Sequence, residues 1–152
     1  MAYWLFKTEP DDISLDDIKK AGRMRWDGIR NYQARNFLRD QCAQGDGVFI
    51  YHSQCKNVGV VGCARIVQAA YPDPAQFNPK SPYFDAKATD QAPRWFCVDI
   101  AYESQLPRCV SLAEIKAEAG LAEMVLVKQG RLSVQPVSSA EWRHIQAMAK
   151  KA

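Results

Sequence analysis

The densest gathering of reactive and hydrogen-bonding side chains is the run Trp26-Asp27-Gly28-Ile29-Arg30-Asn31-Tyr32-Gln33-Ala34-Arg35-Asn36. A loop that leads into a helix start brings free backbone N–H groups together with two arginines and two asparagines. Such a set suits an anionic or amide-bearing ligand. Each residue also has a plain structural use: Asn31 as a helix cap, Trp26 in a core, the arginines on a solvated face. The cluster as a whole is what points to binding. Covalent chemistry finds less support. No serine-nucleophile elbow, P-loop, GxGxxG or HExxH pattern occurs, and Gly59-Val60-Val61-Gly62 lies inside a strand-like run, the wrong context for cradling phosphate. His52 and Ser53 are neighbours on an extended segment and so face opposite sides. The cysteines (Cys42, Cys55, Cys63, Cys97 and Cys109) are odd in number with no CxxC spacing, and His52 and His144 are far apart. They read as small buried thiols in a reducing compartment, with no metal, disulfide or cofactor expected.

At 152 residues, with 47% apolar and 24% charged residues, the chain is expected to form one domain over 1–152 rather than a disordered polymer. No apolar run approaches the ~20 residues that span a bilayer, and the opening Met1-Ala2-Tyr3-Trp4 lacks a secretory pattern, so a cytoplasmic protein with no membrane partner is expected. A net charge of +3 permits a nucleic-acid partner without demanding one.

The elements that must position the cluster follow from pattern. Tyr3 to Thr8 reads as a strand ended by Glu9-Pro10. Ser14 caps a helix from Leu15 to Ala21, closed by Gly22, and Arg23 to Gly28 is a loop or short strand. Asn31 caps a helix from Tyr32 to about Ala43. Gly45-Asp46-Gly47 turns into the strand Val48–Ser53. Val58 to Val67 is a strand whose Gly59 and Gly62 imply a bulge, a bend or a close approach. Tyr71 to Pro93, with five prolines and Phe77, Tyr83 and Phe84, reads as a long ordered loop packed on the body. Arg94 to Tyr102 is a strand, Ser111-Leu112-Ala113-Glu114 a capping box, Met124–Val127 a helix end or strand, and Arg131–Val137 extended. Ser138 to Glu141 caps a last helix bearing Trp142, Ile145 and Met148. Trp4 and Trp142 read as core. Trp26, in a loop, and Trp95, at a strand start, are freer.

The runs Tyr3-Trp4-Leu5-Phe6-Lys7-Thr8-Glu9-Pro10, Trp26 to Asn36, Phe49-Ile50-Tyr51-His52-Ser53, Tyr71-Pro72-Asp73-Pro74 with Pro79-Lys80-Ser81-Pro82-Tyr83, and Arg131 to Val137 together resemble the EVE domain family from Tyr3 to Trp142. The resemblance implies an α+β, PUA-like fold: a curved mixed β-sheet or pseudo-barrel with peripheral helices, akin to the YTH and ASCH groups. It also implies a non-catalytic module that reads a modified base, methylated in the favoured case, in DNA or RNA. By that similarity Trp26 and Trp95 are walls of an aromatic cage, with Phe77, Tyr83 or Phe84 closing it.

Taking a base out of the stack costs a few kcal/mol, and stacking on an aromatic face returns ~1–3 kcal/mol. A methyl group adds only ~0.8 kcal/mol of burial, so sharper discrimination needs hydrogen bonds to the base edge. Asp27, Asn31, Tyr51 and Ser53 are the candidates for that task. Lys7, Arg30, Arg35 and Arg131 are the preferred phosphate contacts, with Arg23, Arg25 and Lys80 behind them. The competing reading is a small hydrolase of a modified nucleoside using Lys7, Glu9 and His52 as its acid–base set. A monomer is expected.

Overall fold

The computed structural model describes residues 1–151. Its central strands explain themselves from composition. In β1 (Tyr3–Thr8) Trp4, Leu5 and Phe6 are consecutive and all buried, and in β3 (Gly47–His52) so are Val48 through Tyr51. Successive residues of a strand face opposite ways, so an unbroken apolar run requires cover on both faces. β1 and β3 pair in parallel, with Tyr3 opposite Gly47 and Thr8 opposite His52.

The remaining strands are β2 (Arg23–Trp26), β4 (Gly59–Pro72), β5 (Phe96–Ser111) and β6 (Val134–Val137). Among the described residues they form one six-stranded mixed sheet in the order β2-β5-β4-β3-β1-β6, antiparallel except for β1–β3. Its edges, β2 and β6, are not paired to each other, so the sheet stays open rather than closing into a barrel. Pro136 sits on the edge strand β6, where a missing donor is tolerated.

Helices α1 (Leu15–Ala21) and α2 (Tyr32–Asp40) bury Leu15, Ile18, Ala34 and Leu38 on the face presenting Trp4, Phe6, Ile50, Ile66 and Ile100. Helices α3 (Leu112–Ala117), α4 (Val125–Lys128) and α5 (Ser139–Ala149) cover the other face, where Leu5, Phe49, Tyr51 and Val60 meet Ile115, Leu126, Trp142 and Ile145. Capping boxes open α1, α3 and α5 at Ser14, Ser111 and Ser138. Trp4 and Trp142 are core, as expected from their patterns. Asp46, buried in the turn before β3, accepts from the Trp4 indole at 2.9 Å and from the backbone of Ala2 and Ala43, tying that turn to β1.

Two strands run longer than their sequences indicated. β4 reaches Pro72 and β5 reaches Ser111, because their outer halves pair with each other through four register shifts. Such bulges bend strands and let them keep pairing past the buried core. Helix α2 ends at Asp40, short of Ala43, because Ala43 N–H is taken by Asp46. The glycines of β4 mark close backbone approach: a Cβ on Gly59 would lie 2.3 Å from the Val110 carbonyl oxygen.

The long connection after β4 is ordered. It contains a short 3-10 turn, Pro74–Phe77, and two buried polar residues hold it. Gln76 donates to the carbonyls of Asp73 and Trp95 and accepts from the N–H groups of Arg94 and Trp95, closing the loop at its neck. Asp73, fully buried, accepts from the Gly28 N–H at 2.9 Å, the Arg30 guanidinium at 3.0 Å and the Ala75 N–H at 2.8 Å.

Three substitutions probe how these contacts contribute to stability. Gly59→Ala must push the β5 backbone away and is expected to cost about 3 kcal/mol or more in urea unfolding. Gly130→Ala, whose nearest contact would be an ordinary 3.7 Å, should stay within about 0.5 kcal/mol of wild type. Asp73→Ala leaves Arg30 half-buried without its carboxylate. It should cost about 3 kcal/mol and lower Tm by on the order of 10 °C by calorimetry.

Candidate functional site

Because β1 and β3 are parallel and β6 runs against them, the ends of β1 and β3 and the start of β6 lie at one edge of the sheet. Ser53 N–H donates to the Thr8 carbonyl there, and Lys7 N–H to the Ser133 carbonyl. The loop after β2 reaches the same edge. Between these segments is an open cleft of about 650 Å³, within the ~300–1,000 Å³ range of small-ligand pockets.

The cleft brings together Lys7, Trp26, Asp27, Arg30, Ser53 and Arg131 from the residues singled out in the sequence, along with Glu9. Trp26 is only 4% exposed, and its indole packs on Phe6 with ring centres 5.6 Å apart, so it forms the floor. Tyr83, carried in by the 73–95 loop, lines the same cleft beside Gly28. Gly28 permits this closeness in two ways. Its φ of +77° is in the left-handed region, and a Cβ there would lie 2.9 Å from the Tyr83 ring.

Electrostatically the lining is balanced: Lys7, Arg30 and Arg131 against Glu9, Asp12 and Asp27. Asp27 is exposed at the cleft mouth, and partial desolvation of its carboxyl, reinforced by the nearby Asp73 charge, raises its pKa from the ordinary carboxylate value. Burial lowers the Lys7 ammonium, which donates to the Gly130 carbonyl and lies 5.0 Å from the centre of the Tyr51 ring. Arg30 is more constrained than a free phosphate ligand. Besides Asp73, it donates to the Tyr83 carbonyl from Nε at 3.1 Å and Nη2 at 2.8 Å.

Four expected site residues lie elsewhere. Trp95 does not face Trp26 across the gap. Its ring stacks on Tyr32 at 5.0 Å and its Nε1 donates to Asp85, because the neck of the loop, bonded through Gln76, draws it there. Tyr51 is buried beneath Lys7, on the sheet face opposite to α1 and α2, and burial raises its phenol. Asn31 caps α2 by accepting from Ala34 N–H and borders an adjoining hollow shared with Gly130 and Arg131. Arg35 turns to the Arg94 carbonyl and Asn36. In the acid–base set, Lys7 and Glu9 reach the cleft, whereas His52 Nε2 accepts from Leu15 N–H and partial burial lowers its basicity.

Asp73 was missed as an organiser. Its signal was the Asp73-Pro74 pair, an N-cap followed by proline at the first position of a turn. No group of three or more His, Cys, Asp or Glu placed to hold a metal exists among the described residues. No helix among them is long and apolar enough to cross a membrane.

The EVE domain sequence model matches residues 2–148. Thymocyte nuclear protein 1 of Homo sapiens is 37% identical over 169 residues, covering 99% of this chain and 75% of that protein. The crystal structure of human THYN1 protein in complex with DNA containing 5-methylcytosine superposes with a TM-score of 0.95 at 35% identity, covering 100% of this chain and 99% of that one. A crystal structure from Pseudomonas putida is 50% identical with a TM-score of 0.93, covering 97% and 99%. The open mixed sheet with its helices on both faces is thus the PUA-like architecture of those relatives, and the chain belongs to the EVE domain family.

Proposed function

We propose that the protein is a non-catalytic nucleic-acid-binding module that takes one modified base, extruded from its strand, into the Trp26–Tyr83 cleft. The observation that carries this reading is the charge-balanced lining of the cleft beside an aromatic floor and wall. A phosphate site would be uniformly basic. A site that mixes basic with acidic side chains suits a neutral, flat heterocycle that offers both donors and acceptors. The human relative bound to DNA containing 5-methylcytosine names a base of that kind.

Cytosine presents an amino donor at N4 next to an acceptor at N3, and carboxylates accept from N4. A protonated Asp27 matches that pair, with one oxygen accepting from N4 and its O–H donating to N3. The ionised form faces N3 with a second acceptor. The upward displacement of the Asp27 carboxyl therefore favours the form that fits. Ser53 lines the same space and supplies a further donor. Trp26 and Tyr83, rather than Trp26 and Trp95, form the aromatic part of the pocket. Lys7 and Arg131 take phosphate contacts at its rim. The hydrolase alternative loses its third member with His52 and is not favoured.

Fluorescence anisotropy with duplexes that differ only in one 5-methylcytosine tests the reading. Wild type is expected to prefer the modified duplex by several-fold. Tyr83→Ala should cost about tenfold in affinity for it through lost stacking. Equal affinity for both duplexes, or turnover of the modified nucleoside, would overturn the proposal. Wild-type affinity for both duplexes should weaken as pH climbs through the Asp27 titration, and Asp27→Asn, with a permanent donor and acceptor, should flatten that dependence. The same substitution should stabilise the free protein at neutral pH. A carboxyl whose folded pKa is raised contributes stability below its unfolded pKa and loses it as pH rises through the folded value.

A further inference from the structure

The residues that the sequence joined to the cleft but the fold turned away, Trp95 and Arg35, meet on a second surface. Tyr32, at the start of α2, is 49% exposed, and its inner face stacks on Trp95. The Arg35 guanidinium lies 4.8 Å from the centre of the Tyr32 ring and that of Arg94 5.9 Å, and Arg94 also donates to the Tyr32 hydroxyl. Arg39 follows one turn after Arg35 on α2. Among these cations Arg35 bonds only to Asn36 Oδ1 and the Arg94 carbonyl, with no carboxylate partner among the described residues. Arg94 has Asp85 at 3.5 Å, a carboxylate it shares with the Trp95 indole, and Arg39 has only its neighbour Asp40. Partial burial, together with the positive charges of Arg39 and Arg94, lowers the Arg35 pKa, so the guanidiniums feel one another.

We propose that this face, Tyr32 with Arg35, Arg39 and Arg94, carries the sugar–phosphate strand flanking the base held in the cleft. This inference rests on the nucleic-acid reading above and assigns it a second contact. Two guanidiniums at an exposed aromatic ring, with a third one helical turn along, repel one another until an anion comes between them, and guanidinium forks match phosphate oxygens in pairs. The ring offers a platform for a sugar or base, as single-strand binders use. The face is also continuous with the cleft. Arg30 lies 5.4 Å from the Tyr83 ring and 5.3 Å from the Trp95 ring, and Trp95 stacks on Tyr32. One column of alternating rings and guanidinium thus runs from the cleft wall to the outer surface, giving a strand that leaves the cleft a path with the right charge.

The test is the salt dependence of affinity for the same two duplexes. Each phosphate contact contributes about 0.9 to the slope of log affinity against log salt. The double variant Arg35→Gln/Arg94→Gln should reduce the slope by roughly 1–2 and weaken binding to both duplexes by the same factor, about tenfold at moderate salt. Arg39→Glu, which disturbs no contact beyond Asp40, should weaken both by a similar factor and decides the matter if the double variant does not fold. Unchanged slope and affinity in the folded variants, with wild type still preferring the modified duplex, would overturn this inference alone. Wild type that binds neither duplex would overturn it together with the reading it rests on.

Discussion

Removing a carboxylate from water costs several kcal/mol unless donors replace its hydration, and at Asp73 the replacements come from two different loops. One oxygen caps the turn that begins its own loop through Ala75 N–H. The other reaches across to Gly28 N–H and Arg30 in the loop after β2. Because the carboxylate is fully buried, neither loop can shift without breaking a charged hydrogen bond in a place water cannot enter. The two loops are therefore one mechanical unit. Arg30, clamped by Asp73, holds the Tyr83 backbone, and Tyr83 sits against the bare Cα of Gly28. The wall of the cleft depends on that carboxylate, as does the column of rings and guanidinium that continues from it.

The sheet supplies the other half of the site. Parallel pairing of β1 with β3 aligns their carboxyl ends, and the antiparallel β6 begins at the same edge. Helices on both faces leave the strand ends as the place where backbone and polar side chains can meet a ligand. Five of the cleft residues, Lys7, Thr8, Glu9, Ser53 and Gln54, come directly from those two strand ends. The floor is rigid because Trp26 packs into the core on Phe6.

Division of labour between two kinds of surface follows from charge. A cleft with balanced charge attracts little from a distance, while it can discriminate closely between ligands once one is inside. A guanidinium-rich outer face does the opposite, since screened Coulomb attraction to phosphate is indifferent to base identity. A protein of net charge +3 cannot rely on a strong overall field. Placing Arg35 and Arg94 at one exposed tyrosine, with Arg39 a turn further along α2, is one way for such a protein to hold a strand while the cleft inspects a base.

Much of this was legible from the chain alone. Strand β1, helix α1 with its Ser14 cap, and helix α5 follow from local signals: apolar runs, capping boxes and closing glycines act over a few residues and survive any tertiary context. The family motifs likewise marked Lys7, Trp26, Asp27, Arg30, Ser53 and Arg131, which do meet in the cleft. The pairing of indoles was not legible, because Trp26 and Trp95 are both rings next to polar segments and nothing local tells which neighbour each will choose. Hydrogen bonds from Gln76 to the backbone at Trp95, and from Asp73 to the loop of Arg30, decided it. Residue type and short spacing were enough to settle the elements and the chemical inventory of the site. Which aromatic ring joins Trp26 in the cleft was left to tertiary packing, because that choice rests on buried polar contacts between separate segments, 43 residues apart for Arg30 and Asp73 and 19 for Gln76 and Trp95.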